Sequence, residues 1–205
     1  SAGSSDSTTS IRRNKHMHVL DALKFIGKYI AHPMQVGAVC PSSRFLARKM
    51  AESAGKIGKG DIIVELGAGT GAITSKLQPL ADECGAELYC VEFEPTLAKI
   101  LKERFPNAKV VNDSAENIGR IVGEENFPRI RAIISCLPLV SLPKPCVASI
   151  LSAAEEVLPE GARFVQFTYS LARSPESLGF KKMKPESVSF EALDIPPARI
   201  DIFTK

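Results

Sequence analysis

The sequence predicts a single α/β domain built on a mostly parallel sheet. Two observations predict it: short apolar runs alternate with helical patterns along most of the chain, and one of these runs breaks into a glycine-rich turn. Such alternation is typical of parallel strands with helices on both faces of the sheet. We expect a first strand in the apolar run that begins at 62 and ends at the glycine turn, and further strands at 87–92, 109–112, 130–135, 162–168, 186–191 and 198–203. Helices are expected at 41–54, after the glycine turn, at 95–104, near 115–123 and at 144–157.

The last two strand-like runs, 186–191 and 198–203, are joined by a short connection that contains Pro196 and Pro197. A short connection suits an antiparallel pair, which we expect at the edge of the seven-stranded sheet. Residues 1–10 are small and polar, and residues 1–15 are predicted to be a disordered tail. Residues 16–205 form one predicted domain, which begins with an amphipathic helix over 16–32.

The bulk composition excludes several classes of protein. The chain has 205 residues, a formal net charge of +3 and five scattered cysteines. There is no CxxC pair or Cys/His cluster, so we expect free thiols in a reducing compartment and no metal. No run reaches the ~18 apolar residues of a membrane span, and no signal peptide is visible. The sequence therefore predicts a cytoplasmic protein that could still bind to a membrane surface.

The glycine turn and an acidic residue on the next strand together predict a nucleoside site. Gly67, Gly69 and Gly71 follow the first strand directly, and Glu92 ends the second strand. Glycine lets the backbone turn sharply and lets a ligand approach the main chain. An acidic residue roughly 20 residues beyond the turn can accept hydrogen bonds from both ribose hydroxyls. The spacing is GxGxG, which differs from the GxGxxG dinucleotide fingerprint.

The order of glycine turn, acidic strand end and Asp113-Ser114 resembles the Rossmann-like class I methyltransferases, which use S-adenosylmethionine (SAM). Three further segments narrow the resemblance: VGAVCPSSR (36–44), SCLPLVSLP (135–143) and QFTY (166–169). Across roughly residues 19 to 203, the chain resembles the bacterial phospholipid N-methyltransferases. These enzymes methylate phosphatidylethanolamine toward phosphatidylcholine and are related to the ribosomal RNA adenine dimethyltransferases.

The resemblance implies a SAM site without metal, which releases S-adenosylhomocysteine as product. Glu65 and the turn would surround the methionine part of SAM, Glu92 would hold the ribose, and Asp113 would contact the adenine amino group. A helix N-cap is an equally good reading of Asp113, and Glu65 could instead cap the amides of the turn. The cofactor-binding candidates are Glu65, Gly67, Ala68, Gly69, Gly71, Glu92, Phe93, Asp113, Ser114 and Ser135.

The substrate candidates follow from the chemistry of an ethanolamine head group. Ser135, Leu137 and Pro138 would lie beside the transferable methyl, and Tyr169 at the end of the fifth strand could stabilise the growing cation through its ring. A buried edge aromatic is the alternative for Tyr169. The positively charged side chain of Arg44 or Arg173 could bind the phosphate of the head group.

The helix at 16–32 has two interpretations. Its apolar stripe could pack on the sheet, or it could enter the lipid interface with Lys24, Lys28 and Tyr29 at the head groups. The second interpretation predicts peripheral association with the inner face of an anionic cell membrane. The resemblance implies a phospholipid substrate and no nucleic acid, and we expect a monomer.

Three other functions remain open from the sequence. Adenine methyltransferases place an Asn or Asp and an aromatic around their proline, whereas this chain has Ser135 and Leu139 around Pro138, which argues against a flipped base. Methylation of another aminolipid such as ornithine lipid, or of a soluble amine, is the second alternative. A SAM-binding module without catalysis is the third.

Overall fold

A computed structural model describes residues 41–170, 174–191 and 197–205. In chain order, these residues form five α-helices and seven strands. The helices are α1 (Pro41–Glu52), α2 (Thr74–Cys84), α3 (Pro95–Arg104), α4 (Ile118–Val122) and α5 (Lys144–Val157). The strands are β1 (Ile62–Leu66), β2 (Glu87–Glu92), β3 (Lys109–Asn112), β4 (Ile130–Ser135), β5 (Arg163–Thr168), β6 (Lys184–Glu191) and β7 (Ala198–Thr204).

The strands form one sheet in the order β3-β2-β1-β4-β5-β7-β6. The first five strands pair in parallel, and β7 is antiparallel to both of its neighbours, β5 and β6. The chain order reverses between β1 and β4, so the crevice at their carboxyl ends is the place where a doubly wound fold binds its ligand.

Two hydrophobic layers cover the sheet, one on each face. The first layer joins α1, α2 and α3 to one face through buried residues such as Met50, Leu77 and Leu101. The second layer joins α4 and α5 to the other face through residues such as Ile118 and Ile150. β1 is buried along its whole length because helices lie on both sides of it.

The predicted fold class is confirmed, and β2, α3, β3, β4 and α5 have the predicted bounds. The antiparallel pair also lies at the edge as predicted, with β6 outermost. The helix expected near 115–123 is a correction, because a 3₁₀ turn over Ala115–Asn117 precedes the five residues of α4. Residues 1–40, including the predicted 16–32 helix, lie outside the described residues. Among the helices of the described ranges, none is long and apolar enough to cross a membrane.

Candidate active site

A cleft opens at the carboxyl ends of β1 to β4, beside the point where the strand order reverses. It is lined by residues from the glycine turn, the ends of β2 and β3, the loop after β4 and one face of α5. These are Gly67, Gly69, Val91, Glu92, Phe93, Glu94, Leu97, Asp113, Ser114, Ala115, Leu137, Pro138, Leu142, Cys146 and Ile150. The structure therefore brings together eight of the residues predicted from sequence: Gly67, Gly69, Glu92, Phe93, Asp113, Ser114, Leu137 and Pro138.

The glycine turn adopts a backbone that favours glycine at three positions. Gly67, Gly69 and Gly71 have φ angles of 73°, 58° and 89°, in the left-handed region. The Gly67 amide donates to the Val91 carbonyl at 2.8 Å, so the turn is tied to β2. A side chain at Gly67 would place its Cβ 2.7 Å from Leu137 Cδ2, within the cleft. The missing Cβ at Gly67 thus keeps open the space between the turn and the loop after β4.

Gly71 serves packing more directly than ligand binding. A Cβ at this position would overlap the Phe105 ring and lie 2.9 Å from Leu101 Cδ1. Both neighbours belong to the end of α3 and the residue that caps it. Gly71 and its buried neighbour Ala68 are not among the residues that line the cleft, and the Gly71 amide donates to the Ala68 carbonyl at 2.9 Å.

Glu92 fixes the turn from the end of β2. Its side chain is almost fully buried, and its Oε2 accepts the Gly69 amide at 2.8 Å while its Oε1 accepts the Glu94 amide at 2.8 Å. A carboxylate oxygen can accept a second hydrogen bond, so both oxygens can still receive a donor from the cleft. This arrangement fits a ribose whose two hydroxyls approach one carboxylate.

Asp113 and Ser114 lie where β3 ends. Asp113 Oδ1 accepts from the Ser114 amide and from Asn117 Nδ2, both at 2.8 Å, and Arg120 pairs with Oδ2. The hydrogen bond from Asn117 contributes most to lowering the pKa of Asp113, so its carboxylate is an ionised acceptor. The N-cap role belongs to Ser114, whose hydroxyl accepts the Glu116 amide. Asp113 also lines the cleft, and its contact with an adenine amino group stays a prediction.

Glu65 lies beneath the turn and does not line the cleft. Its side chain is fully buried, and the Thr74 hydroxyl donates to Oε2 at 2.6 Å. The thiols of Cys90 and Cys136 approach the same carboxyl at 3.5 and 3.8 Å. Burial raises the pKa of Glu65 to about 7, against an ordinary value of 4.5. Glu65 holds the first turn of α2 against β1, and its contact with the methionine part of SAM stays a prediction.

Ser135 ends β4 and is fully buried, whereas Leu137 and Pro138 extend into the cleft. The Cys136 amide donates to the Leu66 carbonyl at 2.8 Å, which continues the β1–β4 ladder by one residue. The loop after β4 therefore starts from a fixed point beside the glycine turn.

The remaining substrate candidates lie outside the cleft lining. Tyr169 follows β5, is half exposed, and meets the Phe167 ring edge-on with 5.6 Å between centroids. The alternative interpretation of Tyr169, a buried aromatic at the edge of the sheet, is therefore wrong. Arg44 is an exposed residue of α1. The predicted Lys24, Lys28, Tyr29 and Arg173 lie outside the described residues.

Sequence reasoning missed the apolar wall of the cleft. Cys146 and Ile150 lie four residues apart on one face of α5, and Leu142 lies in the loop just before that helix. Their spacing was a usable signal, but an apolar stripe on a helix usually means ordinary core. Glu94 and Leu97 were also missed, although they directly follow the acidic end of β2.

Comparison with known proteins agrees with this geometry. No protein-family model matches the chain. The chain is 29% identical over 153 residues to an ornithine lipid N-methyltransferase of Singulisphaera acidiphila, and the alignment covers 72% of this chain and 78% of the relative. It is 33% identical over 89 residues to a probable ribosomal RNA small subunit methyltransferase A of Methanosarcina mazei, covering 42% of this chain and 29% of that protein.

A solved structure of similar fold is a TehB-like SAM-dependent methyltransferase from Corynebacterium glutamicum. Its TM-score is 0.56 at 16% identity, with 91% of this chain and 98% of that chain covered. The chain thus has the fold of the class I SAM-dependent methyltransferases. Together with the cleft and the curated relatives, this fold supports a methyltransferase whose cofactor is SAM.

Proposed function

We propose that the protein transfers methyl groups from SAM to the amine of a lipid head group. The main support for this proposal is a cleft of the kind that binds SAM, whose wall includes Leu137 and Pro138. A second support is a relative of similar length, an ornithine lipid N-methyltransferase. Phosphatidylethanolamine, methylated toward phosphatidylcholine, and ornithine lipid both offer such an amine. The first is the substrate that the sequence motifs indicate, and the second is the substrate named for the relative.

The chemistry requires a neutral amine in line with the methyl group. SAM, when bound, supplies that methyl from a sulfonium. The contribution of the chain is positional: Glu92 and Asp113 hold the nucleoside end, and the loop from Ser135 to Pro138 sets the distance to the amine. Positioning of this kind removes much of the entropic part of the barrier. Low-dielectric surroundings also favour the uncharged amine over the ammonium.

Each transfer forms an N–C bond as the S–C bond of the sulfonium breaks, and the resulting ammonium loses a proton to water before the next transfer. Successive methylation thus moves the nitrogen toward a quaternary ammonium, whose positive charge deprotonation can no longer remove. An aromatic face stabilises such a cation by ~0.5–2 kcal/mol. Tyr169 is the aromatic that lies half exposed at the carboxyl edge, one residue beyond β5. In our proposal, its ring meets the methylated head group as it leaves the cleft.

The proposed substrate places the protein at a membrane surface on the cytoplasmic side. Exposed apolar side chains at the carboxyl edge support this arrangement, since Val140, Tyr169 and Phe190 are each about half exposed near the ends of β4, β5 and β6. Vesicle flotation of the full chain and of a chain that begins at Pro33 tests the role of the 16–32 segment. Equal flotation of both on anionic vesicles would remove that segment from the membrane contact.

Labelled SAM and vesicles of defined composition test the substrate. Phosphatidylethanolamine and ornithine lipid are offered separately, each in a phosphatidylglycerol background that has no amine. We expect label in at least one aminolipid and none in the background lipid. A small-subunit ribosomal RNA is the third acceptor, because of the partial likeness to ribosomal RNA methyltransferases. Label in RNA alone would overturn the proposal.

A further inference from the structure

The side chain of Asn112 binds the backbone at the point where β2 ends. Asn112 is the last residue of β3 and lies opposite Glu92 in the parallel ladder between the two strands. Its Nδ2 donates to the Glu92 carbonyl at 2.9 Å and to the Phe93 carbonyl at 2.8 Å. Both partners are acceptors, so the NH₂ end of the amide must face β2. One side chain therefore binds two consecutive carbonyls of the neighbouring segment.

These two hydrogen bonds coincide with a change of direction in the backbone. Successive carbonyls of an extended strand point to opposite sides, so one NH₂ group reaches both only where the strand has ended. β2 ends at Glu92, a bend occupies Phe93 and Glu94, and α3 begins directly after them. The Asp113 amide also donates to the Glu92 carbonyl, at 3.2 Å. The end of β3 thus holds this bend from one side.

The carboxylate of Glu92 holds the same bend from the other side. Its Oε1 accepts the Glu94 amide and its Oε2 accepts the Gly69 amide, both at 2.8 Å. Glu92, Phe93 and Glu94 all line the cleft, whereas Asn112 is not among the lining residues. Asn112 is therefore placed to act on a bound ligand through the bend and not by direct contact.

We propose that Asn112 is a positioning residue for the cofactor, which keeps Glu92 and Phe93 in the arrangement that receives the nucleoside of SAM. This inference depends on the cofactor and not on the identity of the methylated amine. Without Asn112, the Glu92 carbonyl keeps the Asp113 amide, but the Phe93 carbonyl loses the Asn112 donor. The bend is then less fixed, and part of the binding free energy of the nucleoside is used to order it.

An amide side chain matches this position more closely than other side chains of its size. Its two N–H groups meet the two carbonyls one for one. An ionised Asp has the same shape but no N–H, and it would place a negative charge against both carbonyl oxygens. Asn112→Asp therefore exchanges two attractions for two repulsions at nearly constant volume. Because Asn112 is exposed, the substitution leaves the hydrophobic core unchanged.

Calorimetry with S-adenosylhomocysteine tests the inference without catalysis. We expect the Kd to rise roughly 10- to 100-fold in Asn112→Asp and roughly 3- to 10-fold in Asn112→Ala, where water can replace the lost donor. Methylthioadenosine, which lacks the amino-acid part, should lose affinity by the same factor in each variant. A loss confined to S-adenosylhomocysteine would contradict an effect on the nucleoside end.

Asn126→Asp is the matched control. Asn126 Nδ2 also donates to a backbone carbonyl, that of Val122, at 2.9 Å. Asn126 precedes the start of β4, at the edge of the sheet opposite the cleft. The control substitution should leave both Kd values unchanged, whatever its effect on thermal stability.

Steady-state kinetics on lipid vesicles separate positioning from a simple loss of folded protein. A smaller folded fraction lowers the apparent kcat and leaves both KM values unchanged. Positioning of the cofactor instead predicts a higher KM for SAM in Asn112→Asp, with an unchanged KM for the lipid.

Wild-type Kd values in a folded Asn112→Asp protein, or an equal loss of affinity in Asn126→Asp, would overturn the inference alone. A protein that shows the expected differences in Kd but methylates no lipid would overturn the proposed function and leave the inference standing.

Discussion

The Gly69 amide donates to the Glu92 carboxylate at 2.8 Å, and this bond joins the middle of the glycine turn to the end of the neighbouring strand. The two residues are 23 positions apart in sequence, yet the parallel pairing of β1 and β2 brings them together. The same carboxylate thereby shapes the turn and faces the cleft. If Glu92 holds the ribose as proposed, a change there affects the cofactor both through a lost contact and through a looser turn.

Glu92→Gln should weaken SAM binding without unfolding the protein. Its amide group can accept through only one atom, whereas Gly69 and Glu94 both donate to the carboxylate. We expect a loss of about 1.5–3 kcal/mol, roughly 10- to 150-fold in Kd, as for a charge-assisted hydrogen bond. Calorimetry measures it. Glu87→Gln, at the opposite end of β2, is the control and should leave the affinity intact, whereas equal affinity in both variants would remove Glu92 from the site.

Gly71→Ala should destabilise the fold more than the backbone angle alone requires. Gly161 has a similar φ of 76° with nothing near its missing Cβ, so Gly161→Ala measures the cost of the angle, about 1–2 kcal/mol. At Gly71 the added methyl also meets Phe105 and Leu101, for a further ~1–3 kcal/mol. Urea unfolding of the two variants gives the difference. Equal losses would mean that α3 does not pack on the turn as described.

Glu65 should make the protein less stable as the pH rises from 4.5 to 7. Burial raises the pKa of Glu65 to about 7, so in this window the folded state retains a proton that the unfolded state has released. Unfolding then releases a proton and becomes easier as the pH rises, by up to about 3 kcal/mol for this group alone. Glu65→Gln should remove that slope. Parallel plots of unfolding free energy against pH for both proteins would contradict the raised pKa.

Tyr169→Ala should slow lipid methylation roughly 2- to 30-fold while leaving SAM affinity nearly intact, as expected for the loss of one cation–π contact. Tyr169→Phe should retain most of the rate if the ring acts on the cation, and little if the hydroxyl positions the amine. Phe190→Ala is the control, because Phe190 is an exposed aromatic at the same edge. Equal losses in Tyr169→Ala and Phe190→Ala, measured as initial rates on vesicles, would assign Tyr169 to membrane adhesion.

Most of the sheet could be predicted from sequence because its strands are short apolar runs with clear turn signals on both sides. The differences have local causes. β6 begins at Lys184, two residues before the predicted start, and includes Pro185, which an edge strand tolerates because its missing N–H need not face a partner. The register shifts just after this proline. The expected helix near 115–123 shortened because Ser114 starts a 3₁₀ turn in front of α4.

The cleft residues at the ends of β1, β2 and β3, where we place the nucleoside, could be predicted because they follow strand ends in a recognisable order. The substrate side could not, because its signals are not local. Leu137, for example, is tied to Gln166 only through the pairing of β4 with β5, which lets Gln166 Nε2 donate to the Leu137 carbonyl. The positions of Leu142 and Ile150 in the cleft wall could not be predicted either, because an apolar pattern in the sequence does not show whether the residues face the core or a ligand.

The most direct test of lipid-amine methylation is to identify the labelled molecule and the labelled atom. Total lipid vesicles that contain phosphatidylethanolamine and ornithine lipid are incubated with the full chain and SAM carrying a trideuterated methyl, and the products are fragmented in a mass spectrometer. The account predicts a head-group fragment that is heavier by one trideuteromethyl for each transfer, with unlabelled acyl chains. Label in added ribosomal RNA alone, or no labelled lipid from a protein that binds SAM, would contradict it.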